Sequence, residues 1–438
     1  MFTATKPGES FNAELVKLDV KASLKDGGKT DGETEEKEYN LIVKFLSIDP
    51  LNSEMNQIIG YHIREFMMYS EVISQLNKFQ DEKTGNKYPL NIPQFIYGKC
   101  TNSEYVLVME NMKTSNYEII SKEKGLNYDE AKIAVECVAR LHAVSYAYDK
   151  THGFLDKYPC FMFSSKISKL FKSVVYASVE NCIKYLNSTK QKDNLQIVEK
   201  LKAGKRVLPA KFSAMWDDQT RHKILCLTHG DFWISNLMFR YSKITEDGTR
   251  KIESLNLIDW QITQWNNPIM DLHYLINTST TLNVRNEHSE DILKCYHKAF
   301  TTILSDLNCQ IPDFDYQQFK MEFDRTSLVG FLMGLCLIQG TLSKAGEHLN
   351  EAQSTCLNNP LCRPIKFVCD KIKTVGAKLI VPVAFDPSCE CLLRKCVQNK
   401  LKPIGTELAS GRNEILNQRL QDLIDEAKDR GIFDVMTL

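Results

Sequence analysis

The stretch Leu227-Thr228-His229-Gly230-Asp231-Phe232-Trp233-Ile234-Ser235-Asn236, followed by Leu257-Ile258-Asp259, constrains this chain more than any other feature. It sets a carboxylate, an amide five residues later and a second carboxylate in the order that phosphoryl transfer requires. One Asp takes the proton of an acceptor hydroxyl, the Asn reaches a metal, and the second Asp holds metal under the phosphates. Asp231, Asn236 and Asp259 fit those three roles. A five-residue spacing lets the first two point into one cleft from a single tight loop. The apolar run 224–228 reads as a buried strand delivering the loop, Leu237–Phe239 as a strand leaving it, and Glu246-Asp247-Gly248 as a turn. Leu255–Ile258 then returns and presents Asp259 beside Asn236. A lone His-x-Asp more often marks a capped turn or a core histidine. Here Asn236, Asp259 and the further run Asn267-Pro268-Ile269-Met270-Asp271-Leu272 narrow the reading to a kinase-type architecture.

Size and charge bound the partners. A chain of 438 residues, 43% hydrophobic, buries a sizeable core. Lys plus Arg and Asp plus Glu both total 55, so no net field draws the protein to nucleic acid or an anionic membrane. A small-molecule partner is expected. The 14 cysteines are spread singly, which predicts no disulfide framework and a reducing, cytoplasmic setting. Cys389, Cys391 and Cys396 lack a neighbouring histidine and the tight pairing of a zinc site. The N-terminus has no apolar signal region and no run reaches membrane-spanning length, so neither secretion nor a membrane span is expected. The most apolar window, Val329–Gly340, reads as a buried helix.

The first third reads as a small sheet with one helix. Leu15–Val20 and Asn40–Leu46 are β-type runs separated by a polar stretch, Lys25–Glu38, read as an exposed hairpin loop. Lys44 is an isolated cation in the second run, and such a lysine needs a partner or a phosphate. A helical pattern from Met55 to Phe79 carries Glu65, placed to pair Lys44. Asn91–Gly98 and Tyr105–Met109 read as further strands. Glu110-Asn111-Met112 then breaks the run where a hinge would bind a purine through its backbone. Downstream, Tyr128–Tyr148 is an amphipathic helix with His142 as a packing histidine, and Gly411–Gly431 holds a terminal amphipathic helix. The expected fold is α+β and bilobal, a small antiparallel-sheet N-lobe with one main helix and a larger, mainly helical C-lobe. The expected boundaries are 1–110, 111–380 and a helical extension, 381–438, packed on the C-lobe.

These residues together resemble the ecdysteroid kinase-like family, also called CHK kinase-like, in the choline kinase and aminoglycoside phosphotransferase branch of the protein-kinase-like fold. The resemblance spans most of the chain. It rests on Lys6-Pro7-Gly8-Glu9, Ile42-Val43-Lys44, Arg64-Glu65-Phe66-Met67-Met68-Tyr69, Met109-Glu110-Asn111, Ala139-Arg140-Leu141-His142-Ala143, His229 to Asn236, Ile258-Asp259-Trp260-Gln261 and Asp271-Leu272-His273-Tyr274. The resemblance implies ATP and Mg2+ as cofactors, with Asp231 as catalytic base and Asn236 and Asp259 as magnesium ligands. It makes Lys44 the phosphate clamp, Glu65 its partner and Gly8 part of the phosphate loop. Glu110 and Met112 would border the nucleotide, and His229 and Asp271 would brace the catalytic loop. The acceptor it implies is a hydroxyl of an ecdysteroid or of a small molecule being detoxified. Three departures stand out. Gly8-Glu9-Ser10-Phe11-Asn12-Ala13 replaces the usual Gly-x-Asn-Tyr-x-Ser, the chain begins almost at that loop, and Trp260 replaces a Phe.

Only 11 residues separate Asp259 from Asp271, too few for a polypeptide-docking activation segment, which favours a small-molecule acceptor. A choline or ethanolamine kinase is one alternative. A catalytically silent nucleotide-binding module is another, favoured by the altered glycine loop and opposed by intact Lys44, Asp231, Asn236 and Asp259. Phe161, Phe163, Phe171 and Tyr176 either line an acceptor site or pack the core.

Overall fold

In the computed structural model, β2 (Ala13–Lys25) and β3 (Thr34–Leu46) pair antiparallel residue by residue from Ala13↔Leu46 to Lys25↔Thr34. The structure describes residues 2–3, 13–25, 34–46, 59–101, 104–162, 165–189, 191–192, 194–217, 223–244, 250–344 and 390–436. Gly8, the turn 246–248, Phe163 and Cys389 lie outside these residues, as do the side chains of Cys391 and Cys396. Part of the polar stretch expected to be loop is strand, because Thr34–Glu38 continues the ladder. Its charges are held across the ribbon, Lys21 against Glu38 at 2.5 Å, so polarity here marks an exposed strand pair.

β1 (Phe2–Thr3), β4 (Phe95–Cys100) and β5 (Tyr105–Glu110) complete a five-stranded antiparallel sheet in the order β1-β2-β3-β5-β4. β4 begins four residues later than the apolar run suggested. Pro93 has no N–H to give a ladder, which keeps 91–94 outside the sheet. On the sheet lies one helical segment: α1 (Tyr61–Met67), a π turn over Met68–Val72, and α2 (Ile73–Thr84), ending at left-handed Gly85. It outruns the expected helix by five residues, Thr84 against Phe79.

The rest is mainly helical. α3 (Tyr128–His152) starts at a capping box, in which Asn127 accepts from Glu130 N and Glu130 accepts from Asn127 N. Ala131, Ala134, Val138, Leu141 and Val144, all fully buried, form its inner face. α4 (Ser165–Thr189), α5 (Asn194–Gly204) and α6 (Leu208–Asp217) follow. Next come the short strands β7 (Cys226–Thr228), β8 (Leu237–Tyr241), β9 (Ile252–Leu257) and β10 (Gln264–Asn266). β10 pairs β7, while β8 lies between β9 and β6 (Tyr117–Ile119). α7 (Ile269–Ser279), α8 (Leu282–Asp306), α9 (Tyr316–Arg325) and α10 (Ser327–Leu342) are followed by α11 (Glu390–Ser410) and α12 (Glu414–Asp429).

One apolar cluster runs from Leu76 and Leu107 through Leu141 to Leu237, Leu257 and Leu272, so the sheet, α3 and the strand pairs share a core. A second joins Val175, Phe212 and Leu332 to Leu416, Leu420 and Ile424 of α12. The terminal helix is therefore part of a core. The Val329–Gly340 window lies in buried α10, and no single described helix is long and apolar enough to cross a membrane. The architecture is α+β, an antiparallel sheet with its helix joined to a larger helical part.

Candidate active site

The turn after β7 is shaped by one glycine. Gly230 has φ +81, and a Cβ there would lie 2.2 Å from the Ile262 carbonyl oxygen. Only a residue without a side chain lets the loop press onto that backbone. Asp271 of α7 fixes the loop from below. Its Oδ2 accepts from His229 N at 2.7 Å and its Oδ1 from Gly230 N at 2.9 Å. His142, buried on α3, donates from Nε2 to the same Asp271 Oδ2 at 3.0 Å and accepts at Nδ1 from the Tyr296 hydroxyl at 2.9 Å.

His229 links this loop to the returning strand. Its Nε2 donates to the Ile258 carbonyl at 3.1 Å, and its Nδ1 accepts from Asp231 N at 3.3 Å. Burial holds its pKa below the ordinary value, although Asp271 and Asp259 pull the other way. The ring is therefore neutral, as the one-donor, one-acceptor pattern requires.

Both oxygens of Asp231 are held. Oδ1 accepts from the Tyr274 hydroxyl and Oδ2 from Asn236 Nδ2 at 2.8 Å. Asn236 Nδ2 also donates to the Asp231 carbonyl at 2.9 Å, which commits both amide hydrogens and leaves the side-chain oxygen as the atom that could meet a cation. Burial first, and the nearby Asp259 charge second, push the Asp231 carboxyl up to about 6, against hydrogen bonds from Tyr274, Asn236 and Trp233.

Asp259 follows β9 in a left-handed conformation, φ 65, next to Ile258, whose N–H donates to the Asn236 carbonyl at 3.1 Å. That bond ties the two sequence-predicted metal ligands together. Among the described residues no group of three or more His, Cys, Asp or Glu forms a metal cluster. An Asp with an Asn offers hard oxygen donors of the kind magnesium takes when phosphates and water supply the rest.

Lys44 and Glu65 meet at 2.7 Å, both buried, and Lys44 also reaches Asp259 Oδ1 at 3.2 Å. Glu65 Oε2 accepts from the Tyr105 hydroxyl at 2.7 Å and from Gln261 Nε2 at 3.4 Å. Burial alone would lower the Lys44 pKa, but Asp259 and Glu65 outweigh it and raise it, so the ammonium stays charged. At the end of β5, Glu110 accepts from Ser115 Oγ at 3.0 Å. Met112 packs with Tyr117, Met238 and Ile258, one residue before Asp259. The amides of Glu110 and Asn111 are taken by the carbonyls of Gln94 and Asn40, each at 3.0 Å.

Thus nine of the ten predicted site residues fall on described segments. Lys44, Glu65, Asp231, Asn236 and Asp259 converge, His229 and Asp271 lie beneath them, and Glu110 and Met112 lie at the end of β5, where the hinge is expected, with Met112 packed against Ile258. Sequence reasoning gave no role to Tyr274, or to His142 beyond packing. The signal for Tyr274 was its place three residues after Asp271, on the same helical face.

An α+β fold with a lysine–glutamate pair facing an Asp/Asn/Asp loop defines a kinase-type phosphotransferase. The model of the ecdysteroid kinase-like family matches residues 7–309, and the chain belongs to that family. Its relatives among solved structures are distant. A Plasmodium vivax ethanolamine kinase is 12% identical, with a TM-score of 0.34 over 82% of this chain and 86% of that one. A type VIII aminoglycoside-3'-phosphotransferase is 11% identical, with a TM-score of 0.31 over 72% and 92%. A Streptomyces rimosus aminoglycoside phosphotransferase solved with ADP and streptomycin is 12% identical, with a TM-score of 0.28 over 67% and 89%. Comparison with curated proteins gives no match.

Proposed function

We propose that this protein transfers the γ-phosphoryl group of ATP to a hydroxyl of a neutral, largely apolar small molecule, an ecdysteroid-like or xenobiotic alcohol. The observation that carries the transfer chemistry is the convergence of Asp231, Asn236, Asp259 and the Lys44–Glu65 pair. In this reading Asp231 accepts the proton from the acceptor hydroxyl, at an oxygen already oriented by Tyr274 and Asn236. Lys44 holds the α/β-phosphates, kept in place by Glu65, and the Met112 amide is the hinge donor left for a purine edge. Asn236 and Asp259 would hold Mg2+, which when bound neutralises charge developing on the transferred group. His229 and Asp271 keep the loop backbone in position.

Two observations favour a small, uncharged acceptor. The segment after Asp259 turns at once, with Thr263 N donating to the Trp260 carbonyl, and then enters β10 against β7, so it offers no platform for a polypeptide. Around Asp231 stand Tyr274, Trp233 and Tyr61, the last close enough to feel its charge. An aromatic surround suits a ring alcohol, whereas an amino-sugar with its several ammonium groups calls for acidic walls.

The test is ADP release with Mg-ATP over a panel of steroid alcohols, xenobiotic alcohols, choline and ethanolamine. Wild type should turn over ring alcohols, and Asp231→Asn should lose transfer while nucleotide still raises its melting temperature. Preference for choline or ethanolamine would overturn the acceptor class. Nucleotide binding without transfer to anything would make the protein a silent module.

A further inference from the structure

A cavity of about 170 Å³ opens behind the catalytic loop, and none of the side chains gathered around Asp231 lines it. Its walls include Ile224 ahead of β7, Ile269 at the start of α7, Tyr296 and Phe300 of α8, Phe314, and Phe319 of α9. The rings pack on one another, Tyr296 to Phe319 at 5.5 Å and Phe300 to Phe314 at 6.1 Å between centroids. A dry apolar cavity of roughly 150 Å³ admits benzene, so this one is the size for one or two fused rings.

The polar groups at its edge already have partners. Lys223 Nζ donates to the Asp313 carbonyl at 2.5 Å, Arg325 Nε to Glu322 Oε2 at 2.7 Å, and Asn267 Nδ2 to Glu322 Oε1 at 3.1 Å. A charged group on the ligand would have to leave water for the apolar wall, whereas a neutral ligand need only displace water from it.

The cavity wall is also one end of a line of buried hydrogen bonds. The Tyr296 hydroxyl donates to His142, His142 donates to Asp271, and Asp271 accepts from the amides of His229 and Gly230. The chain itself makes a second link, since Ile224 lies five residues before His229 and Ile269 two before Asp271. A ligand that shifts the Tyr296 ring therefore acts on the group that fixes the loop carrying Asp231.

We propose that this cavity binds a neutral, apolar molecule of one or two rings, and that its occupancy alters the order of the loop at His229 and Gly230. Neither half depends on the acceptor or on turnover.

The experiment titrates indole and its anionic counterpart indole-3-acetate onto the full chain, following binding by ligand-observed NMR and backbone hydrogen exchange over residues 229–236. Met321→Trp is the blocking variant. Met321 lies at the cavity edge and is 62% exposed, so an indole ring can cover the opening without disturbing a buried side chain. Wild type should bind indole, bind indole-3-acetate about tenfold more weakly, and lose about tenfold in indole affinity on Met321→Trp. Exchange at His229 and Gly230 should change with indole in wild type and not in the variant. No indole binding, or equal binding by wild type and Met321→Trp, overturns the site. Equal affinity for the anion overturns the neutral-ligand assignment, and binding without a change in loop exchange overturns the coupling.

Discussion

The hydroxyl of Tyr274 donates to Oδ1 of Asp231, and Tyr274 sits three residues after Asp271 on α7. One turn of one helix therefore holds both the backbone of the catalytic loop and the carboxylate that the loop presents. The direction in which Asp231 points is set by α7 as much as by its own loop.

Burial of Asp231, and the Asp259 charge after it, set a pH dependence that this bond moderates. The Asp231 carboxyl is pushed up to about 6 from an ordinary 3.8, so the charged form is lost as pH falls through about 6, and with it the proposed base. Because the folded value is raised, the contribution of this group to stability falls as pH rises from about 4 to about 6, the reverse of a salt-bridged Asp. The Tyr274 hydrogen bond favours the charged form, so Tyr274→Phe should push the pKa higher. The acid limb of phosphotransfer, or of basal ATP hydrolysis, should move to higher pH in Tyr274→Phe. An unmoved limb would show that Asp231 is not the titrating group.

The Lys44–Glu65 pair makes a separable prediction. Both side chains are buried, so Lys44→Met strands the Glu65 carboxylate and should destabilise the fold by about 3–5 kcal/mol. Burial already raises the Glu65 pKa and Lys44 lowers it, so in Lys44→Met the value climbs further. A folded value above the unfolded one means stability is regained as pH falls. The double variant Lys44→Met with Glu65→Gln should recover most of the stability while Mg-ATP affinity stays lost. Denaturation at two pH values with a nucleotide thermal shift separates the two effects. Nucleotide affinity restored in the double variant would remove Lys44 from the phosphate site.

What could be read beforehand follows from physical constraint. Phosphate and metal chemistry demands particular residue types at fixed spacing, so Asp231, Asn236 and Asp259 stood out, and a lone cation in an apolar strand pointed to the Lys44–Glu65 contact. The hairpin length was not legible, because charge over Thr34–Glu38 looks the same in a loop and in an exposed ribbon. The late start of β4 was legible in principle from Pro93. The bonds from Tyr274 to Asp231 and from His142 to Asp271 span 43 and 129 residues, so spacing names neither partner, although the place of Tyr274 beside Asp271 on one helical face could be read.

Asp271 is held by three donors, the amides of His229 and Gly230 and the His142 ring. Asp271→Asn keeps one acceptor oxygen and turns an N–H toward one of those donors. The unsatisfied amide should cost about 1–3 kcal/mol and speed hydrogen exchange at Gly230 or His229. Transfer should fall more than nucleotide binding, because the loop carries Asp231 while Lys44 lies on β3. Unchanged exchange at both amides would mean that Asp271 does not restrain the loop.

Gly230 and Gly85 separate conformational strain from steric collision. Both have positive φ, +81 and +65, but nothing lies within 4 Å of a Cβ at Gly85, while at Gly230 it would fall 2.2 Å from the Ile262 oxygen. Gly85→Ala should show only the left-handed penalty, about 1–2 kcal/mol. Gly230→Ala adds a backbone clash that no side-chain rotation relieves, so the loop must lift from Ile262. Lifting it stretches the Asp271 bonds at His229 and Gly230 and moves Asp231 away from Tyr274. Gly230→Ala should therefore be clearly less stable than Gly85→Ala in urea and should lose transfer, while Gly85→Ala keeps it. Equal stability and equal activity in the two variants would mean that the loop does not need its close approach to Ile262, and that the carboxylate is placed by Tyr274 and Asn236 alone.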